Sequence, residues 1–356
     1  MSPADCVSNA SAMMIVGFEG TSVPDQLRRF VKAGPPAGVV LFARNLTDTD
    51  QIAELTRELR SLWPEDATPL IAVDQEGGPV RRLRDPCCPE MLALPAAARL
   101  GEHGDAELTR EAGRITAAQL AALGFNLNFA PVLDVHSNPA NPIIGDRAFG
   151  SDPHTVIQHA RAWSLGSLAG GVLPCGKHFP GHGDTDLDSH LALPSILCDR
   201  DQLEARELPP FREAVRWDIP ALMTAHVVFR ELDPQWPATL SPEVIPELLR
   251  DRLGYTGVVI SDDLEMAAIA ERHTPDEIAQ RGLSAGLDIF LVCRDLAFAT
   301  RIRDAIAQSH EHRAIQDALG RVAHFRSLAE DNAGRPWSGS LPCVEEGLQL
   351  LAKLTP

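Results

Sequence analysis

The chain has 356 residues, long for one ordinary domain and usual for a decorated (β/α)8 barrel. Hydrophobic residues make up 44%, enough for a sizeable core, and no run is long enough to span a membrane. A formal net charge of -17, with a pI near 5.1, argues against nucleic acid or an anionic membrane as partner, because the overall field repels phosphates. Seven cysteines, an odd number with only Cys87 and Cys88 adjacent, make neither a disulfide framework nor a CxxC metal site. They read as free thiols in a reducing compartment. The N-terminal MSPADCVSNASAMMIVGFEG has no basic leader and too short an apolar run for a signal peptide, so cytoplasmic residence is expected.

In chain order, the β-rich runs are Met13–Phe18, Gly38–Phe42, Leu70–Gln75, Phe125–Val135, Val172–Phe179, Ala221–Val228, Gly257–Asp262 and Leu287–Cys293. Most are continuously apolar rather than alternating, as parallel strands covered on both faces require. Amphipathic helical segments lie between them, among them Asp50–Leu62, Asp105–Leu123, Pro153–Ala169, Arg200–Val215 and Pro275–Ala285. Several begin on an Asp, Ser or Thr suited to cap a helix. Eight strands alternating with helices predict a closed α/β barrel of the TIM type, a single domain over residues 1–356. The tail from about Asn332, ending in the helix-like Val344–Leu354, is expected to pack on the barrel's outside.

Polar residues collect where the runs end: Asp74, Asp134, Lys177 and His178, His226, and Asp262. In a (β/α)8 barrel that face carries the active site. The densest chemistry is KHFPGHGDTDLDSH, Lys177 to His190, whose glycines and proline mark a strand end running into a long loop. Asp188 and His190 stand two apart, a spacing that lets a carboxylate hold one imidazole nitrogen and free the other for proton transfer. In Ser261-Asp262-Asp263, Asp262 aligns with the other strand-end groups and suits a nucleophile or cation stabiliser. Asp263 is expected to point elsewhere and to favour the next helix N-terminus. Asp74, with Arg81, Arg82 and Arg84 close behind, suits a grip on vicinal hydroxyls, although DQEGG also reads as a solvated turn. His178, His182 and His190 mimic metal-ligand spacing, but Pro180, Gly181 and Gly183 break the helix such a site needs, so no metal is expected.

Taken together, KHFPGHGDTDLDSH followed by LALP, with GVVLFARN, AVDQEGG, NFAPVLDV, GDRAFG and VVISDDLEM in order, resembles glycoside hydrolase family 3 over nearly the whole chain. Within it the likeness is to bacterial β-N-acetylglucosaminidases of peptidoglycan recycling. The resemblance implies a retaining exo-hydrolase with Asp262 as nucleophile and His190, supported by Asp188, as general acid/base. It implies sugar-binding roles for Asp74, Arg82, Arg147, Lys177 and His178, and no cofactor. The implied substrate carries a terminal β-linked N-acetylglucosamine on an anhydro-N-acetylmuramyl sugar or peptide, and a monomer is expected. Pro79 departs from the family's arginine after DQEGG, at a position expected to shape the loop. A phosphorylase using the same two residues, a β-glucosidase or β-xylosidase, and a non-catalytic sugar-binding barrel are the alternatives.

Overall fold

The computed structural model describes residues 2–185, 193–196, 198–331 and 337–354. Its centre is a parallel eight-stranded sheet, one strand from each of the eight apolar runs: β1 Met14–Val16, β2 Gly38–Val40, β3 Leu70–Val73, β4 Leu127–Asn128, β5 Leu173–Phe179, β6 Ala221–Thr224, β7 Val258–Ile260 and β8 Phe290–Val292. The spatial order follows the chain, with β8 beside β1. A parallel bridge from Ile260 to Ile289 closes β7 onto β8, so the sheet is a barrel.

Burial explains why the strands read as unbroken apolar runs. Ile15, Val40, Ala72, Leu173, Cys175, Val258, Ile260 and Leu291 belong to one buried cluster inside the barrel. Their neighbours Val16, Val39, Ile71, Val73, Val259 and Val292 belong to a second, between strands and helices. Alternate side chains thus enter different cores, and both are apolar. Phe325 and Val322 of the helix His312–Asp331 join the inner cluster. Arg321 of that helix bonds Asp288, just before β8, and so ties the helix to the N-terminal end of the barrel.

The helices begin where the capping residues predict. Asp48 accepts from the Gln51 amide ahead of Thr49–Arg60, Asp105 from Glu107 ahead of Ala106–Ala122, and Asp152 from Thr155 ahead of Pro153–Ala169. Two elements differ from expectation, each at a proline. The run Phe125–Val135 is a strand only at Leu127–Asn128, since Pro131 has no N–H for the ladder; pairing resumes where Val132 bridges Lys177. The helix expected over Arg200–Val215 is split into Arg200–Gln202, a wider turn Leu203–Glu207, and Leu208–Arg216. Pro209 and Pro210 remove the amides that a continuous α-helix would use there.

The C-terminal helix Val344–Leu354 lies outside the barrel against Ala97–His103 and Ala106–Ala122. It buries Leu350, and Arg114 pairs with Glu346 across the contact. All seven cysteines are free. Among the described residues no helix is long and apolar enough to cross a membrane.

Candidate active site

β3 delivers Asp74 to the C-terminal mouth of the barrel, and a small hairpin, Gln75–Gly77 with Val80–Arg81, then folds the chain back over that mouth. The turn needs its glycines. Gly77 and Gly78 have φ of 111° and 51°, and a Cβ on either would stand 2.6 Å from Pro95 O or Ala96 Cβ. Pro79 sits exposed at the tip. Gln75 locks the hairpin from below: its Oε1 accepts from the amides of Arg82 (2.9 Å) and Leu83 (3.1 Å), and its Nε2 donates to Leu83 O.

The hairpin thereby gathers a charge cluster. Lys177 Nζ, on β5, reaches Asp74 Oδ1 at 2.8 Å and Glu76 Oε1 at 2.6 Å. Arg82 Nη2 donates to Asp74 Oδ2 at 3.1 Å. Arg147, from the loop after β4, holds Glu76 with two bonds of 2.9 Å. Burial alone would raise both carboxyls, but Lys177 and Arg82 hold Asp74 below its ordinary range, and Arg147 and Lys177 hold Glu76 far below. Within this cluster three cations face two carboxylates.

Asp134, fully buried, organises the next sector. Its Oδ2 lies 2.7 Å from His178 Nδ1, and its Oδ1 accepts from the amides of His178 (3.2 Å) and His182 (2.8 Å). Burial pushes its carboxyl up, yet the His178 imidazole and these bonds bring it below the usual value. The His182 ring is 2.9 Å from Thr185 Oγ1; burial and the neighbouring His178 push it down to about 4, so it is neutral near pH 7.

Asp262 lines the same cavity, half-buried at the end of β7, its Oδ1 accepting from the Asp263 amide at 2.8 Å. Burial raises its carboxyl, but His226, His178 and Lys177 outweigh that and leave it below the ordinary range, hence ionised. Asp263 differs. Its Oδ1 accepts from the amides of Glu265 (3.0 Å) and Cys293 (3.2 Å) and so fastens β7 to β8. Burial first, then Glu265 and Asp262, push it up to about 7. Glu265 accepts from the amide of Asp295, the N-cap of the helix after β8, at 3.0 Å.

A cavity of about 190 Å³ is lined by Asp74, Arg82, Arg147, Lys177, His178 and Asp262, with Phe42, Phe129, Met223 and Met266 as apolar wall. It falls below the ~300–1,000 Å³ of sites for drug-sized ligands, a size suited to a single small ring. Six of the eight residues singled out from sequence therefore share one pocket. The other two, Asp188 and His190, lie outside the described residues. Glu76, His182 and Asp263 also line the pocket but were given no ligand or catalytic role from sequence. Glu76 had a signal in the arginine-rich stretch that follows it, and His182 in its place within the polar loop. His226 is tied to the same strand end as Asp262, its Nε2 donating to Asp263 O at 2.9 Å. His159, outside the pocket, is buried with Nδ1 2.7 Å from Thr109 Oγ1.

A beta-hexosaminidase of Alkalilimnicola ehrlichii is 40% identical over 286 residues, 79% of this chain and 80% of that one. A solved glycoside hydrolase family 3 beta-N-acetylglucosaminidase from Paenibacillus sp. str. FPU-7 superposes with a TM-score of 0.92 at 37% identity, over 98% of this chain and 67% of the other. NagZ from Neisseria gonorrhoeae, solved with N-trifluoroacetyl-D-glucosamine, gives a TM-score of 0.81 at 30% identity, over 97% and 98% of the two chains. Residues 11–325 match the glycosyl hydrolase family 3 N-terminal domain, and the chain belongs to that family.

Proposed function

We propose that the chain is a retaining exo-β-N-acetylglucosaminidase that removes terminal, non-reducing N-acetylglucosamine from peptidoglycan fragments. The observation that carries the reading is the ionised Asp262 sharing with the Asp74–Lys177–Arg82 cluster a pocket the size of one ring. Relatives named beta-hexosaminidase, and neighbours named beta-N-acetylglucosaminidase, support the sugar.

In this reading Asp74 accepts hydrogen bonds from ring hydroxyls, which its two protein partners leave it capacity to do. Arg82, Lys177 and His178 donate to the remaining oxygens. Asp262 attacks the anomeric carbon and forms a covalent glycosyl-enzyme. His190, held by Asp188, protonates the leaving oxygen and then deprotonates the incoming water, a role worth roughly 10²–10⁴ in rate. An anhydro-N-acetylmuramyl sugar or peptide is the proposed leaving group, and the cytoplasm the proposed location.

The test is product analysis after incubation with a nitrophenyl β-N-acetylglucosaminide in phosphate buffer. Free N-acetylglucosamine supports hydrolysis. N-acetylglucosamine 1-phosphate would make the enzyme a phosphorylase, and cleavage of the glucoside alone would make the proposed sugar wrong.

A further inference from the structure

The loop that follows Arg82 carries the sequence's adjacent cysteines, Cys87 and Cys88, which the proposed hydrolysis does not use. Their sulfurs are 3.6 Å apart, a short movement from the ~2.05 Å of a disulfide. Cys87 is half-buried and Cys88 buried, so solvent reaches the first and the second waits behind it. The Cys87 thiol donates to Arg84 O at 3.0 Å and approaches Arg82 O at 4.0 Å. It therefore touches the carbonyl of the residue whose guanidinium grips Asp74.

We propose that Cys87 and Cys88 are a peroxide-sensitive modification site, closing to a vicinal disulfide that disturbs the Arg82 grip on the sugar pocket. The bond with Cys88 is the main cause that draws the Cys87 thiol down to about 6, while the same contact drives Cys88 upward. One sulfur is thus a nucleophile near neutral pH and its neighbour a protonated resolving thiol, the arrangement of oxidant-sensing cysteines. The Cys87 thiolate attacks one oxygen of hydrogen peroxide; the O–O bond breaks, hydroxide leaves and is protonated to water, and Cys87 becomes a sulfenic acid. Cys88 then attacks that sulfur; the S–O bond breaks, a second water leaves with the thiol proton, and the disulfide forms. Two thiols lose two electrons and the peroxide gains them.

Closure must move the loop. Adjacent Cα atoms are about 3.8 Å apart, less than the ~4.4–6.8 Å usual in disulfides. Gln75 clamps the near end of the loop at Arg82 and Leu83, so displacement falls on Arg84 to Cys88 and reaches Arg82 through its carbonyl, 4.0 Å from the Cys87 sulfur. The effect on the pocket rests on the sugar-binding reading above; formation of the disulfide does not.

The whole protein is treated with hydrogen peroxide, and its thiols are mapped by differential alkylation. The tryptic peptide 85–99 contains both cysteines and no other. Expected is loss of two hydrogens in that peptide, reversed by dithiothreitol. Cys88→Ser should instead give a Cys87 sulfenic acid trapped by dimedone, with activity unchanged in reductant. KM for the nitrophenyl substrate should rise roughly three- to tenfold on oxidation, the size of one weakened hydrogen bond. Unmodified thiols in this peptide, or oxidation in wild type that stops at Cys87, would overturn the site. A disulfide that forms with KM unmoved would overturn its link to Arg82. If the substrate is not turned over at all, the mass change still decides the site.

Discussion

Replacing Glu76 by Gln tests whether the pocket is held by its internal charges. Glu76 takes two bonds from Arg147 and one from Lys177, all inside a buried cluster. Gln keeps one acceptor oxygen but turns an NH2 toward the remaining donors and leaves the three cations facing one carboxylate. Removing one partner of a buried ion pair costs about 3–5 kcal/mol, and the retained oxygen places the substitution near the lower bound. For a chain of this length, at about 2 °C per kcal/mol, Tm should fall by about 6 °C near pH 7. Loss of the fixed positions of Lys177 and Arg147 should lower kcat/KM by about 10–100-fold. The sign with pH follows from the depressed carboxyl. A folded-state pKa below the unfolded value of about 4.3 gives stability that is fully present above that value and lost as pH falls through the folded one. The gap in Tm between wild type and E76Q, followed by calorimetry, should therefore hold from neutral pH down to about 5 and narrow below about 4. A Tm within about 1 °C of wild type at neutral pH, or a gap that ignores acid, would refute the reasoning.

Three further outcomes are expected. Asp262→Ala should lower kcat by at least about 10⁴-fold while N-acetylglucosamine binding, read by calorimetry, changes little; a loss of only tenfold would exclude a nucleophile. The kcat/KM profile should be bell-shaped, with its acidic midpoint below about 4 because His226, His178 and Lys177 outweigh burial at Asp262. A midpoint above about 5 would contradict that. Glu207, fully buried, is pushed up to about 7 by burial despite Arg206 at 2.7 Å. A raised carboxyl stabilises below its unfolded pKa and loses that contribution as pH rises through 7. Glu207→Gln should thus gain stability relative to wild type by about 2–3 kcal/mol between pH 5 and 9, checked by urea unfolding. The opposite trend would mean that the Arg206 pair governs the group.

The barrel was legible because its strands border two apolar layers. Val39 and Val40 look alike in sequence although one faces helices and the other the barrel interior. An unbroken run of such residues has few other homes than a parallel sheet covered on both sides. The boundaries that slipped did so where backbone donors are missing, at Pro131 and at Pro209–Pro210, and apolar content says nothing about donors. Strand-end chemistry was legible for a related reason. A Lys or Asp that closes an apolar run must leave the core at the mouth, which is how Asp74, Lys177 and Asp262 were found. Glu76 was not, because its partner Arg147 lies 71 residues away. Its direction is set by a turn with two left-handed glycines that a linear reading sees only as a loop.

The doublet Asp262-Asp263 shows what composition cannot decide. Two identical side chains, adjacent at one strand end and bordering one cavity, are pushed in opposite directions. Burial raises both, so burial does not separate them. Neighbours do: Asp262 faces His226, His178 and Lys177 from β5 and the segment after β6, whereas Asp263 faces Glu265 and Asp262 itself. The positive groups arrive from strands remote in sequence, and only closure of the barrel brings them to one carboxylate and not the other. A pair of groups driven apart in this way separates an ionised carboxylate suited to attack from one that fastens backbone. That separation supports Asp262, rather than Asp263, for the nucleophile's role. It also predicts unequal tolerance: Asp263→Asn keeps an acceptor for the Glu265 and Cys293 amides and should retain most turnover, where Asp262→Asn should not. Equal loss in the two variants, measured as kcat with the nitrophenyl substrate, would remove the distinction.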